Sequence, residues 1–177
     1  MHFSEEILPG TWLVKLKRFE DMRGTFVKTY SRTLFEQHGA RLDMLEEFYS
    51  VSHKDVIRGM HFQLPPHDHV KVVYCPVGTV DDVLLDLRQG PGYGRVASVR
   101  LTQDEPSLVF IPQGIAHGFR SLSDHSLMVY KTSTEHAPTA DAGLRWDSFG
   151  HDWGCDTPVM SERDRQHPTL AAFVSPF

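Results

Sequence analysis

From Val70 to Thr132 the chain alternates short apolar runs with turn signals. Val70 to Val77 ends at Gly78, and Val80 to Leu87 ends at the turn-rich Gln89-Gly90-Pro91-Gly92-Tyr93-Gly94. Val96 to Leu101, Ser107 to Ile111, Gly118 to Leu122 and Ser126 to Thr132 continue the series. Many short runs at this spacing predict an all-β chain folded as an antiparallel sandwich or barrel. Two helical segments fit beside it: Ser31 to His38, where Ser31 can cap and Leu34, Phe35 and His38 share a face, and a turn opened by Ser161. From Ala137 onward the chain is rich in Pro, Gly, Trp and Asp with little periodicity, which reads as a wrap around the mouth of the β framework.

Polar groups interrupt what should be buried strands. In Val56-Ile57-Arg58-Gly59-Met60-His61-Phe62-Gln63, strand alternation sends Gly59, His61 and Gln63 to one face and Arg58 to the other. Arg58 and His61 therefore share a site only if the backbone bulges or bends at Gly59. Lys71 lies on one face with Val73 and Cys75, and Asp82 sits inside the run Val80 to Leu87. A buried ammonium and a buried carboxylate both need partners, and the simplest compensation is each other.

Composition narrows the class. At about 150 residues per domain, 177 residues predict one domain, residues 1–177. Apolar residues at 40% and charged residues at 23% exclude a disordered chain. The net charge of −5, with no basic run beyond Lys17-Arg18, argues against a nucleic-acid partner. The longest uncharged stretch, Pro106 to Phe119, is too short and too proline-broken to cross a membrane. Acids rather than a basic n-region in MHFSEEILPG predict a cytoplasmic protein, and Cys75 and Cys155, far apart and without a C-x-x-C pattern, predict reduced thiols. The 11 histidines are the one oddity, and His53, His61, His67, His69 and His117 cluster enough to suggest a site.

Pro112-x-Gly114-x-x-His117 matches the second motif of cupin barrels. A metal-dependent cupin oxygenase or isomerase would use His67, His69 and His117, but no Glu follows His67-Asp68-His69 and Lys71 intrudes beside it. A larger set of motifs resembles the nucleotide-sugar 3,5-epimerases typified by dTDP-4-dehydrorhamnose 3,5-epimerase, which are metal-free cupins. These are Asp21-x-Arg23-Gly24-x-Phe26, Ser50-x-Ser52, Arg58-Gly59-x-His61-x-Gln63, Lys71, Asp82-Val83-x-x-Asp86-Leu87-Arg88, Phe110-Ile111-Pro112-x-Gly114-x-x-His117-Gly118-Phe119, Tyr130-Lys131-x-Ser133, Trp146-Asp147 and Ser161-Glu162-Arg163-Asp164. They span nearly the whole chain in the family's order.

The resemblance implies a cupin-type antiparallel jelly roll with a few short peripheral helices, no cofactor, and inversion at C3, C5 or both of a nucleotide-activated 4-keto-6-deoxy sugar through an enolate. It implies that His61 abstracts the proton with Asp164 orienting it, that Lys71 supports the C4 enolate with Asp82 holding Lys71, and that Tyr130 reprotonates from the other face. Substrate binding falls to His117 and Gln63 in the sugar pocket, to Phe26, and to Arg23 and Arg58 on the diphosphate, whose oxygens suit a guanidinium fork. The family exchanges N-terminal strands between subunits, so a homodimer is expected, with Arg23 entering the neighbour's site. Departures cluster in the nucleotide pocket. Lys28 replaces an acid, Glu46 and Phe48 replace Gln and Asn, Glu135 replaces a base-stacking Tyr, and His69 replaces Gln. Lys28 and Glu46 reverse charge at positions that could meet, which suggests a base other than thymine, with Glu46 and Glu135 accepting from an exocyclic amine.

Overall fold

The computed structural model describes all 177 residues. In chain order the elements are β1 (His2–Leu8), β2 (Thr11–Lys15), β3 (Arg18–Asp21), β4 (Gly24–Val27), α1 (Arg32–Gln37), β5 (Glu46–Ser52), β6 (Ile57–Gln63) and β7 (Lys71–Val77). Next come β8 (Thr79–Asp86), β9 (Val96–Thr102), β10 (Ser107–Ile111), β11 (Ile115–Ser121), β12 (Ser126–Thr132), β13 (Asp141–Gly143), α2 (Glu162–Arg165) and a closing 3-10 turn, Leu170–Ala172. The 6-stranded sheet has the order β1-β2-β10-β7-β12-β5, and the 5-stranded sheet the order β13-β6-β11-β8-β9. All strand pairs are antiparallel, and the two sheets face each other as a jelly roll of the cupin type.

The expected runs are strands β7 to β12. β10 and β12 match at both ends, whereas β11 begins at Ile115, ahead of the expected Gly118, and so carries His117 inside the ladder. The N-terminal strands escaped the pattern because β3 and β4 are largely exposed and β5 shows its outer face to solvent, so neither alternates cleanly. Ser31 stands at the N-cap of α1 without a side-chain bond, while Ser161 caps α2 by accepting from the Asp164 amide. The segment after Ala137 adds β13 to the sheet edge and lays Phe173 and Phe177 edge-on against Phe62.

Alternation explains the layers. Val73 and Cys75 of β7, Val109 and Ile111 of β10, Leu84 of β8, Phe119 of β11 and Met128 of β12 meet between the sheets. Their neighbours point outward: Val72, Leu108 and Phe110 pack with Phe35 of α1, and Val83, Leu85 and Ala116 pack under Trp153 and Leu144 of the C-terminal wrap. Lys71, Asp82, His117 and Tyr130 occupy interior-facing positions of the same strands, so the candidate site residues continue the core rather than decorate its surface.

One local irregularity positions the site. β6 pairs with β11 as His117 opposite His61 and Phe119 opposite Arg58, so three steps along β6 match two along β11. The extra residue is the bulge expected at Gly59. It returns Arg58 to the interior face that His61 and Gln63 also use, while Ile57, Met60 and Phe62 join the outer cluster. Glycine is required on both strands here. A Cβ on Gly59, whose φ is +129, would lie 2.5 Å from Gly118 Cα, and one on Gly118 would lie 2.8 Å from Arg58 O. Both obstacles are backbone. Gly118→Ala is therefore expected to cost about 1–3 kcal/mol of stability by overpacking and to lower activity in whatever fraction folds, by displacing Arg58 and His61. Chemical denaturation with an activity assay checks this, and an unchanged midpoint with unchanged activity would remove the close approach as a constraint.

Candidate active site

A cavity of about 270 Å³ opens between the sheets at the end where β6, β7, β11 and β12 converge. Arg58, His61 and Gln63 of β6, Lys71 of β7, His117 of β11 and Tyr130 of β12 line it, together with Glu46, Phe48 and Ser50 of β5 and His69. His61 and His117 are direct partners across the β6–β11 ladder. Lys71 and Tyr130 stand on the opposing sheet.

His61 Nε2 donates to Asp164 Oδ1 at 2.8 Å, leaving Nδ1 as the imidazole's remaining nitrogen. Asp164 is held twice more: its Oδ2 accepts from the Gly59 amide at 3.2 Å, and its own amide donates to Ser161 Oγ at 3.1 Å. Ser161 thus caps the turn that carries Asp164 while the carboxylate orients His61, and the glycine that makes the bulge also anchors the group behind His61. Burial alone would raise the Asp164 pKa, but the His61, Gly59 and Ser161 hydrogen bonds outweigh it and the net direction is down, so Asp164 stays ionised.

Asp82 does something other than expected. Its Oδ1 accepts from His117 Nε2 at 2.6 Å, and no carboxylate lies within ion-pair distance of Lys71. The register supplies the reason. Asp82 is opposite Phe119 and so one diagonal step from His117 on the neighbouring strand, whereas Lys71 belongs to the facing sheet across the core. The unbonded Asp82 Oδ2 is buried and acts on Lys71 only as a nearby charge. Burial pushes the Lys71 ammonium down to about 8, with Asp82 and Asp141 pulling weakly the other way. Burial also lowers His117, against the opposing effect of Asp82. The Tyr130 phenol is pushed up by burial, more than its hydrogen bond with Ser50 Oγ at 3.0 Å offsets, so it keeps its proton at neutral pH. Phe48 stacks on its ring, with centroids 4.8 Å apart.

Not every expected binding residue arrives here. Arg58 does, lining the cavity while its Nε donates to Ser52 Oγ at 3.0 Å. Gln63 lines the wall, but its amide is engaged by the protein: Oε1 accepts from the Ala137 amide at 2.7 Å, and Nε2 donates to His67 O at 2.8 Å. It is a clamp between two loops rather than a free ligand. Glu46 lines the cavity and accepts from the His136 amide. Lys28 and Glu135 do not line it, so the expected Lys28–Glu46 pair is absent within the chain and Glu135 offers no acceptor to a base there. Lys28 follows the β3–β4 hairpin, and Glu135 instead gives its backbone carbonyl to Gln63. Arg23 and Phe26 are also outside. Arg23 is 86% exposed and paired with Asp21, and Phe26 is 61% exposed. Their hairpin bonds to no other strand.

Of the clustered histidines, His53 and His67 lie off the cavity, and His69 and His117 are turned to different partners, so the His67, His69, His117 set forms no common ligand cage. The sequence reading missed Asp141, His136, Arg163, Thr132 and Thr134, which complete the lining, because they sit on the irregular C-terminal wrap or at strand ends. It also missed His167. This side chain lies 3.7 Å from Asp164 Oδ1 behind the dyad, in space that Gly143 leaves open. Its place three residues after Asp164, just past the turn opened by Ser161, was the available signal.

The model of the dTDP-4-dehydrorhamnose 3,5-epimerase family matches residues 5–172. A dTDP-4-dehydrorhamnose 3,5-epimerase of Shigella flexneri is 34% identical over 168 residues, 93% of this chain and 93% of that protein. Among solved structures, the Bacillus anthracis dTDP-4-dehydrorhamnose 3,5-epimerase with TDP and PPi bound superposes with a TM-score of 0.91 at 28% identity, covering 94% of this chain and 98% of that one. The Mycobacterium tuberculosis epimerase superposes with a TM-score of 0.92 at 32% identity, covering 97% and 89%. No helix is long and apolar enough to cross a membrane. With a family model matched from the first strand to the closing turn, and relatives of the same name aligned over nearly their full length, the chain belongs to the dTDP-4-dehydrorhamnose 3,5-epimerase family.

Proposed function

We propose that this cavity inverts the carbons beside the C4 ketone of a dTDP-linked 4-keto-6-deoxy sugar. One observation carries the reading: the His61–Asp164 pair and the protonated Tyr130 come from opposite sheets into one cavity, with the Lys71 ammonium free of any ion pair in the same space. Epimerisation needs that set, a base on one face of the sugar, an acid on the other, and a cation for the oxygen that gains charge. His61 Nδ1 takes the proton from carbon and the electron pair moves onto the C4 oxygen as an enolate beside Lys71. Tyr130 then returns a proton to the opposite face. Asp164 positions His61, and Asp82 positions His117 in the sugar pocket.

The relatives' shared name supports dTDP as the carrier, and the charge-reversed Lys28–Glu46 pair that suggested another base is not formed within the chain. Arg58 takes the diphosphate from inside. Arg23 and Phe26 reach a second copy's cavity through the β3–β4 hairpin in a homodimer. Phe19, Met22 and Phe26 on that hairpin are 48%, 101% and 61% exposed, which is apolar surface in need of a cover.

In heavy water, the wild type is expected to incorporate deuterium beside the ketone. His61→Asn should lose that exchange by about 10²-fold or more while binding dTDP normally, because a base contributes in the transition state. Tyr130→Phe should keep exchange and slow inversion. Normal exchange in His61→Asn, or exchange and inversion falling by the same factor in Tyr130→Phe, overturns the assignments.

Lys71 gives a pH test. A folded-state value near 8 against an ordinary 10.5 means that the folded protein resists the ammonium. The resulting destabilisation is full below pH 8, shrinks as pH rises toward 10.5, and is gone above it. Lys71→Met should be inactive yet more stable at pH 7 by about 1–3 kcal/mol, with the gap closing by pH 10.5, and the wild-type rate should fall as pH rises through about 8. A less stable Met variant at pH 7 shows the ammonium to be well compensated.

Calorimetry with dTDP, CDP and GDP tests the carrier and the hairpin together. dTDP should bind most tightly, and Arg23→Ala should weaken it without changing the fold. Tighter CDP or GDP binding assigns another base, and unchanged dTDP binding in Arg23→Ala removes the hairpin from the site.

A further inference from the structure

Behind His61 stand donors of the kind that hold transition metals. His61 Nε2, Asp164 Oδ1 and His167 Nε2 all lie within 4.8 Å of one another. His61 is 2.8 Å from Asp164, and Asp164 is 3.7 Å from His167. Ligands held about 2.0–2.2 Å from a tetrahedral Zn²⁺ stand about 3.3–3.6 Å apart, between those two separations. Small rotations of the two imidazoles therefore bring all three groups onto one ion.

His167 is the member with no other partner. Its Nε2 is buried and makes no hydrogen bond, whereas His61 and Asp164 hold each other. A buried polar atom left in that state is costly, and a ligand would relieve it. The fold keeps room for it: Gly143 stands opposite His61 in the β13–β6 pairing, and a Cβ there would collide with His167 Nε2. The charge also suits a cation, because Asp164 stays ionised and the neighbouring Arg163 guanidinium is paired with Asp141 at 2.8 Å. His61 is 32% exposed at the cavity wall, which gives an ion a route from solvent.

We propose that His61, Asp164 and His167 form an inhibitory site for a divalent transition metal, with Zn²⁺ the ion best matched to two imidazoles and a carboxylate. The binding stands on the three donors, and the inhibition rests on the reading of His61 as the base. A neutral imidazole has one hydrogen and one basic lone pair. In the free enzyme Nε2 gives its hydrogen to Asp164, and Nδ1 keeps the lone pair. A metal on Nε2 takes up a lone pair there, so the ring hydrogen passes to Nδ1 and that nitrogen can no longer accept a proton from carbon. Asp164 exchanges the His61 N–H for the ion. Arg58, Lys71 and Tyr130 are not ligands, so the metal stops proton transfer without displacing the nucleotide sugar.

The test uses the whole enzyme with free Zn²⁺ or Co²⁺ set by a chelating buffer. Wild type should bind one Co²⁺ per chain with the visible absorption of a four-coordinate ion, and Zn²⁺ should displace it. Zn²⁺ should lower kcat and deuterium exchange together with little change in KM, and excess chelator should restore both. His167→Ala should weaken cobalt binding and zinc inhibition alike by at least about tenfold, since losing even a group bonded to a ligand costs about 10–100-fold. His167→Gln fills the same space with a group that zinc rarely takes as a ligand; it should behave like His167→Ala and replaces it if that variant fails to fold. His53→Ala, which removes a surface imidazole, should leave binding and inhibition unchanged. No stoichiometric Co²⁺ binding, equal zinc inhibition in wild type and the His167 variants, bound metal with an undiminished rate, or loss of the cobalt signal in His53→Ala would each overturn the proposal. Undiminished exchange in metal-free His61→Asn signals instead that the underlying reading of the base has failed.

Discussion

Two glycines in contact across β6 and β11 are the constraint on which the site depends. Gly59 and Gly118 approach so closely that neither strand tolerates a Cβ, and the bulge this contact permits returns Arg58 to the cavity side after Met60 has turned away from it. Without it, a regular strand would send His61 and Arg58 to opposite faces, separating the proposed base from the guanidinium proposed for the diphosphate. The same bulge aims the Gly59 amide at Asp164, a residue far along the chain on α2. One backbone irregularity thus sets the side of the sheet, the orientation of His61 and the docking of the C-terminal wrap.

Electrostatics within the cavity sort by sheet. Partners that lie on neighbouring strands of one sheet find each other at hydrogen-bond distance, as His117 and Asp82 do. Groups from facing sheets stay apart by the thickness of the sandwich, and Lys71 is left without a direct counter-ion. An interior ammonium in that state is destabilising, and a chain selected for stability alone would replace it with an aliphatic residue matching Val73. Its retention beside a cavity makes sense where a negative oxygen arrives during the reaction and supplies the missing partner.

The legibility of the sequence followed the same physics. β7 to β12 were readable because alternation between a packed interior and a packed exterior leaves a strong period, and the need for a bend at Gly59 was readable because Arg58 and His61 otherwise point apart. The partner of Asp82 was not. Lys71 and Asp82 look like a pair along the chain, and only the register of β8 on β11 shows that the carboxylate meets His117 first. Gln63 read as a ligand because nothing in sequence reveals that both ends of its amide are already bonded. His167, Asp141 and Arg163 lie on a wrap without period, where distance in sequence says nothing about distance in space.

The β3–β4 hairpin is the part of the sheet framework that the rest of the chain leaves unpaired. Its strands pair only with each other, Arg23 finds only its own Asp21, and Phe19 and Phe26 touch each other at 6.2 Å between ring centroids while staying largely exposed. A two-stranded ribbon is marginal in water by itself, and apolar rings held outward add an unfavourable surface. The outer face of β5, carrying Tyr49 and Val51, is exposed on the sheet edge that borders the cavity. On the proposed dimer reading these facts share one cause. The surfaces that are unfavourable in one copy are those a second copy covers, and the guanidinium and aromatic ring missing from the cavity are carried on the segment that does the covering. Assembly and nucleotide binding are then coupled, because the contact that hides Phe26 from water also delivers Arg23 to the phosphate.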